Sequence, residues 1–410
     1  MTKRSGGPTV IFSGGGTGGH LYPALALAGA LEALRPDVQA VFVGARRGIE
    51  ARVLPRRGVD HHLLPVEGFR REGVLAQLAT NLAVLRGLAR SLVLLGGLFR
   101  ERRPELVVVT GGYAGGPAGI MAILTGVKLV LQEQNSVPGL TTRVLSRFCR
   151  QIHLAFPEAR AHLPRRARSR ARVSGNPVQT PSAVERKEAA RHFDMDPGRP
   201  VILVVGGSQG SLALNDAVLR GIEAQSRANP SDPGFQLLWS TGPSHVQNIR
   251  ASLAELGSPG WVRPVGYIHE MSSALGLADL AVSRAGAMAT SEFQAWGLPS
   301  LLVPLPTAAA DHQRANAHAL VEAGAAEVVE EDTLDRGLLW ERVTALARDP
   351  GAREAMARRA RDRGRPHAAR EIAEELAALL PPPPRGVASA PDTATPEATQ
   401  MGPSQTEEAS

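Results

Sequence analysis

At 410 residues the chain is longer than one ordinary hydrophobic core supports, and two domains are expected. Hydrophobic residues make up 43% and charged residues 21%, which excludes a disordered chain, while a single cysteine excludes an internal disulfide or a cysteine-built zinc site. The formal net charge of +7 favours anionic partners, whether phosphates, nucleic acid or an acidic membrane surface, and does not choose among them.

Residues 1–8 lead straight into a strand pattern with no signal-peptide core, and no charge-free apolar run is long enough to span a bilayer; a cytoplasmic protein is expected. A strand at 10–12 breaks into Ser13-Gly14-Gly15-Gly16-Thr17-Gly18-Gly19-His20, and a helix rich in alanine and leucine is predicted over 21–34. Glycines at such a turn let the backbone approach a ligand closely, and the helix N-terminus offers N–H groups to an anion or a sugar. Strand 40–43, a helix within 48–58 and strand 61–66 follow, the alternation of βαβ units in a parallel sheet. Over 73–99, Leu75, Leu78, Leu82, Leu85 and Leu88 recur at helical spacing among Arg86, Arg90 and Arg100. That pattern fits a core-facing helix, and also an apolar face flanked by arginines that rests on anionic lipid. A buried strand at 106–109 runs into a second glycine turn, Thr110-Gly111-Gly112-Tyr113, and strand 128–131 runs into Gln132-Glu133-Gln134-Asn135. In an open parallel sheet ligands bind beyond the strand C-termini, so these three turns are expected to converge on one cleft.

Arg160, Arg165, Arg166, Arg168, Arg170 and Arg172 crowd one stretch without aromatics for base stacking, which predicts a solvated loop near a domain boundary and no nucleic-acid site. After Ser174-Gly175-Asn176-Pro177 the same grammar restarts. It brings strand 201–205, the turn Gly206-Gly207-Ser208-Gln209-Gly210, helix 212–223, and strands 237–240, 262–265, 280–283 and 300–303. The repeat predicts an α/β architecture of two doubly wound, Rossmann-like domains whose parallel sheets face a central cleft. The domains are expected at 1–175 and 176–365, with a helix at 366–380 packing back on the first and a disordered tail at 381–410.

Gly14, Gly16 and Gly19 satisfy G-x-G-x-x-G, but a dinucleotide site needs a carboxylate at the end of the second strand, and Val43-Gly44-Ala45-Arg46 brings none before Glu50. No Lys-Ser or Lys-Thr follows the glycines, which excludes a Walker A loop. Asp194-Met195-Asp196 has the Asp-x-Asp form of a metal-dependent sugar transferase, yet it precedes a strand and so falls at the wrong sheet edge. A diphosphate in this cleft would be held by helix N-termini and arginine in place of a metal.

Seven motifs occur in order: Gly15-Gly16-Thr17-Gly18-Gly19-His20, Gly111-Gly112-Tyr113, Gln132-Glu133-Gln134-Asn135, Gly175-Asn176-Pro177-Val178, Gly206-Gly207-Ser208-Gln209-Gly210, Arg284-Ala285-Gly286-Ala287 with Glu292, and Asp311-His312-Gln313 with Asn316. Together they resemble the MurG family, inverting N-acetylglucosaminyltransferases of the GT-B fold that use UDP-N-acetylglucosamine to turn lipid I into lipid II for peptidoglycan. The resemblance covers about residues 10–380. It implies that Thr17, Gly18 and Gly19 line the junction of acceptor and donor, that Asn135 reaches the donor sugar, and that Ser208 contacts the diphosphate from a helix N-terminus. It also implies Ile268 against the uracil and backbone N–H groups of Ala287, Met288, Ala289 and Thr290 on the diphosphate, with Ser291 in the same turn. Glu292 would take the ribose hydroxyls and Gln313 the hydroxyls of N-acetylglucosamine. Many members carry an arginine facing the donor phosphates where this chain has Gln179; Arg284 or an arginine of the 160–172 stretch is the expected substitute.

The implied reaction is attack by the C4 hydroxyl of the muramoyl sugar of undecaprenyl-pyrophosphoryl-N-acetylmuramoyl-pentapeptide on the donor's anomeric carbon. Imidazole titrates near neutral pH, which makes His20 the candidate general base; the alternative is a histidine that positions acceptor phosphate or satisfies the loop backbone. No metal or other cofactor is expected. The implied partners are UDP-N-acetylglucosamine, lipid I, the anionic cytoplasmic face of the membrane, where the protein would sit peripherally, and other proteins of wall synthesis. Two rival readings are another GT-B enzyme of UDP-sugars and a non-catalytic nucleotide-sugar-binding scaffold. The first would not be expected to keep both N-terminal glycine turns with Gln134-Asn135, and the second would not need His20.

Overall fold

Apolar runs that alternate between two covered faces build two parallel sheets, as strands buried on both sides require. The computed structural model describes residues 7–66, 74–228 and 232–383, with the side chains of 74–84 and 228 outside the description. The first sheet is made by β1 (Thr9–Gly14), β2 (Gln39–Ala45), β3 (His61–Leu64), β4 (Leu106–Gly111), β5 (Lys128–Glu133), β6 (Gln151–Leu154) and β7 (Ala171–Val173). Its helices are α1 (Gly18–Leu34), α2 (Glu50–Arg56), α3 (Val74–Arg102), α4 (Gly112–Thr125), α5 (Leu140–Leu145) and α6 (Arg165–Arg168). After α7 (Arg186–His192), the second sheet takes β8 (Val201–Val205), β9 (Gln236–Ser240), β10 (Val262–Val265), β11 (Leu280–Ser283), β12 (Ser300–Leu302) and β13 (Ala326–Val328). Helices α8 (Leu212–Ala228), α9 (Val246–Glu255), α10 (Met271–Leu277), α11 (Ala287–Trp296) and α12 (His312–Glu322) connect them, and α13 (Leu338–Arg348), α14 (Pro350–Arg363) and α15 (Ala368–Ala378) follow.

Strand order is β3-β2-β1-β4-β5-β6-β7 in the first sheet and β10-β9-β8-β11-β12-β13 in the second. Each order reverses once, between β1 and β4 and between β8 and β11, and a crevice opens at such a point beyond the strand C-termini. Along β1, Val10 and Phe12 enter one core and Ile11 the other. Along β8, Ile202 and Val204 oppose Val201 and Leu203 in the same way.

Helix α15 returns to the first sheet. Its Ile372, Ala373 and Leu376, spaced for one helix face, are buried with Leu21, Leu27 and Leu31 of α1. Arg172 pairs with Glu375 at 2.7 Å. Behind that pair, burial holds the His153 imidazole down at about 4, against the raising effect of Glu375.

The arginine-rich stretch is solvated as expected, with Arg160, Arg165, Arg166, Arg168 and Arg172 exposed, but it is not a loop. It holds a 3₁₀ turn (Pro157–His162), α6 and β7. Its guanidinium groups cap carbonyls: Arg160 donates to Ala171 O at 2.6 Å, Arg168 to Leu163 O at 3.0 Å and Arg170 to Cys149 O at 2.9 Å. β6, β7 and β13 were not foreseen, because strands of three or four residues at or next to a sheet edge that include Gln151, His153, Arg172 or Glu327 carry no apolar run. The tail expected from 381 lies outside the described residues from 384 onward.

Candidate active site

The first crevice is walled by the turn after β1 and the turn after β4. The β1 turn is built around a carboxylate of the protein itself. Glu50, fully buried at the start of α2, accepts the Gly16 N–H with both oxygens, at 3.1 and 3.0 Å, and the Ala45 N–H at 2.8 Å. A Cβ at Gly15, Gly44 or Gly48 would collide with it. Glu50 is therefore neither a ribose ligand nor absent from the site; it fills the concavity of the glycine turn from within. Gly16 is turned inward, at φ +88°, and the amides left facing the crevice belong to the first turn of α1, where Thr17 and Gly19 are exposed.

His20 lies in that same first helical turn. Its Nδ1 is 3.1 Å from the Thr110 carbonyl and 2.8 Å from Gln134 Oε1. Two acceptors require Nδ1 to carry the hydrogen, which leaves the lone pair on Nε2. The second glycine turn seats the ring. Gly111 and Gly112 both have positive φ, and a Cβ would stand 3.1 Å from His20 Nδ1 at Gly111 and 3.0 Å from Cδ2 at Gly112. Thr110 Oγ1 donates to the His20 carbonyl at 2.7 Å and completes the cross-tie.

The second crevice holds the donor-side candidates. Gly207 and Gly210 turn with positive φ, and Gly210 meets the Thr241-Gly242 turn so closely that neither Gly210 nor Gly242 accepts a Cβ. Ser208 is exposed at the tip of this turn and lies outside helix α8, contrary to the expected helix N-terminal position. Ser211 takes that position, its Oγ accepting the Leu214 N–H at 3.4 Å. Arg284 is drawn onto Ser211 Oγ at 2.7 Å and onto Glu331 at 2.5 Å. Gln179 is exposed; of the arginines expected to replace the charge missing there, Arg284 is paired with Glu331, and Arg160, Arg168 and Arg170 donate to carbonyls while keeping their charge.

At α11 the amides of Ala287, Met288 and Ala289 have no partner within the helix by position, whereas the Thr290 N–H bonds back to Gly286 O at 3.0 Å. Thr290 is thus the one expected phosphate-facing amide already occupied. Glu292 follows on the same helix, and burial pushes its carboxyl up to about 7. The Tyr267 phenol is also raised, by burial first and then by Tyr22 of α1 and Glu292, which places the two sheet edges within electrostatic reach of each other. Ile268 is buried in the core, so it offers the crevice backbone and little side chain. Gln313 accepts the Leu305 N–H at 3.0 Å through Oε1, leaving its amide nitrogen to donate.

Between the crevices the polar residues after β5 bind both halves together. Asn135 Oδ1 accepts from Asn316 Nδ2 at 3.2 Å, and Asn316 Oδ1 accepts the Ser136 N–H at 2.8 Å. Asn176 donates to Gln134 O at 3.1 Å, to Ala287 O at 3.2 Å and to Ser291 Oγ at 2.9 Å. Glu50, Gln134, Asn176 and Ser211 had no role assigned from the sequence, although Gln134 and Asn176 lie in two of the seven motifs. Four polar residues directly after a buried strand were the available signal for Gln134, and nothing local marked Glu50. Asp194 pairs with Arg263 at 2.8 Å ahead of β8, at the sheet edge away from both crevices. Among the described residues no group of three or more His, Cys, Asp or Glu is arranged to hold a metal ion.

Two parallel-sheet domains with glycine turns at facing switch points define a two-domain protein of the GT-B fold. The chain matches the glycosyltransferase family 28 N-terminal domain over residues 10–154 and the family 28 C-terminal domain over 201–376. It is 40% identical over 371 residues to the UDP-N-acetylglucosamine–N-acetylmuramyl-(pentapeptide) pyrophosphoryl-undecaprenol N-acetylglucosamine transferase of Prosthecochloris aestuarii, covering 90% of this chain and 98% of the relative. The protein of the same description from Salinibacter ruber is 40% identical over 373 residues, covering 91% and 97%. Among solved structures it is similar to Acinetobacter baumannii MurG, at TM-score 0.72 and 28% identity over 90% of this chain and 99% of that one. The chain belongs to this MurG family of glycosyltransferases.

Proposed function

We propose that the protein transfers N-acetylglucosamine from UDP-N-acetylglucosamine to the C4 hydroxyl of the muramoyl sugar of lipid I, forming lipid II with inversion at the anomeric carbon. The observation that carries the mechanism is the His20 geometry: Nδ1 is engaged by Gln134 and Thr110, so Nε2 is the nitrogen available to take the hydroxyl proton. As the glycosidic bond to UDP breaks, charge builds on the diphosphate. The free amides at the start of α11 and the turn after β8 supply fixed dipoles for it. Glu292 takes the ribose hydroxyls and the Gln313 amide a hydroxyl of the donor sugar.

The same reading puts the enzyme on a membrane surface. Helices α3, α4 and α5 share one side of the first sheet. Their outward faces expose Leu85, Val93 and Leu94, then Leu124, then Leu140, Val144 and, just beyond α5, Phe148. Val93 is 75% exposed and Leu124 69%, far beyond what a solvent-facing helix needs. Arg86, Arg90, Arg143 and Arg147 stand among them, a pattern suited to anionic headgroups. The side chains of Leu75, Leu78 and Leu82 lie outside the described residues. Among the described residues no helix is long and apolar enough to cross a membrane.

Metal independence belongs to the same proposal. The test is transfer of labelled N-acetylglucosamine from its UDP donor to a lipid I analogue, with and without EDTA. Transfer unaffected by chelation supports the reading; absence of transfer overturns it, and loss of transfer on chelation overturns its metal-free part.

A further inference from the structure

We infer that Gln134 is a positioning residue that fixes the tautomer of His20, and that Asn176 anchors it to the first turn of α11. The inference rests on the reading of His20 as base. It starts from an ambiguity: an amide side chain can be turned end for end unless its surroundings forbid it. Here each amide's surroundings forbid it in turn. Asn176 Nδ2 faces two backbone carbonyls, Gln134 O at 3.1 Å and Ala287 O at 3.2 Å, and carbonyls only accept. Asn176 Oδ1 must then face Gln132, whose Nε2 donates to it at 2.9 Å. That orientation leaves Gln132 Oε1 toward Gln134, where it accepts from Nε2. Gln134 Nε2 also meets the Thr110 carbonyl at 2.7 Å and the Gln132 carbonyl at 3.1 Å, so three acceptors surround it. Gln134 Oε1 is therefore the atom that faces His20 Nδ1 at 2.8 Å, and Nδ1 must be the donor.

Donor follows acceptor along the whole path, from Ala287 O through Asn176, Gln132 and Gln134 to the imidazole. Gln132, Gln134 and Asn176 are buried, so water does not compete for these positions. A histidine held only by the Thr110 carbonyl would keep a weaker preference, because the second acceptor would be lost. The far end of the path is the carbonyl of the residue that opens α11, and Ser291 Oγ, at 2.9 Å from Asn176 Nδ2, ties in the next turn. The base on one side of the cleft and the diphosphate-facing helix on the other thus share one set of buried amides.

The test begins with the wild-type, full-length protein labelled with ¹⁵N-histidine, with His20→Gln assigning the resonance. Nδ1 of His20 is expected to be the protonated nitrogen at pH 8; a predominant Nε2–H form overturns the inference without any other variant. Gln134→Met removes both ends of the amide at similar volume. It is expected to give a mixed tautomer and an about 10- to 100-fold fall in kcat, with the KM for UDP-N-acetylglucosamine changed less than about threefold. UDP affinity serves as the check that the second domain is intact. An unchanged tautomer with unchanged kcat overturns the role of Gln134. Should His20→Ala retain transfer, the reading of His20 as base fails instead, while the tautomer measurement stands independently.

Discussion

Glu50 and Gly16 are joined by a buried carboxylate-to-amide contact in which both oxygens, at 3.1 and 3.0 Å, accept one N–H. Glycine turns of this kind ordinarily receive a ligand's anion; here α2 supplies the anion internally. Glu50→Ala leaves the Gly16 and Ala45 amides buried without an acceptor and opens a cavity. A loss on the order of 2–4 kcal/mol is expected in denaturant unfolding of the first domain. Glu50→Gln, which keeps the volume and one acceptor oxygen, is expected to lose less and to lower kcat more than it raises donor KM. Wild-type stability in Glu50→Ala would show that the turn holds its shape without the carboxylate.

The raised carboxyl of Glu292 makes a pH prediction with a definite sign. Its folded value is about 7, above the ordinary 4.5, because burial penalises the charged form. Between those values the native state holds a proton that the unfolded state releases, so this group's contribution to stability declines as pH rises from about 4.5 to 7. Glu292→Gln should therefore gain on wild type in thermal stability at pH 8 relative to pH 5.

Donor binding should move the opposite way, since the ionised carboxylate is the stronger acceptor for ribose hydroxyls. Calorimetric titration with UDP-N-acetylglucosamine is expected to show affinity rising about threefold to tenfold from pH 6 to 8 in wild type. Glu292→Gln should bind more weakly and with little pH dependence. A flat wild-type profile would count against a ribose role.

Flotation with vesicles of anionic phospholipid checks the proposed membrane face. Val93→Asp with Leu124→Asp, or Val144→Asp with Phe148→Asp, should abolish co-flotation while leaving transfer to a water-soluble acceptor analogue within about twofold. These side chains project outward, so the fold does not need them. Undiminished flotation in both pairs would move the membrane contact elsewhere.

The long parallel strands were legible in sequence because burial on both faces writes them as apolar runs; β4, with all six residues buried, is the plainest case. The position of His20 against the second glycine turn was legible because it ends a glycine turn at a strand C-terminus. Glu50 was not, since its meaning depends on the distant Gly15 closing on it together with its own neighbours Gly44 and Gly48. Gln134 lies in a motif that was noticed, but the direction of its amide is set by Asn176 and Ala287, which only the folded chain brings near. The partner of Arg284 was not legible either: Glu331 lies far along the chain and meets it only in the folded protein.

In the proposed mechanism His20 Nε2 takes the proton from the acceptor hydroxyl. Its most direct test is His20→Ala, followed by turnover with a lipid I analogue and equilibrium binding of UDP-N-acetylglucosamine on the same preparation. A fall in kcat of about 10²–10⁴ with donor affinity unchanged is expected. Turnover within a few-fold of wild type would contradict it.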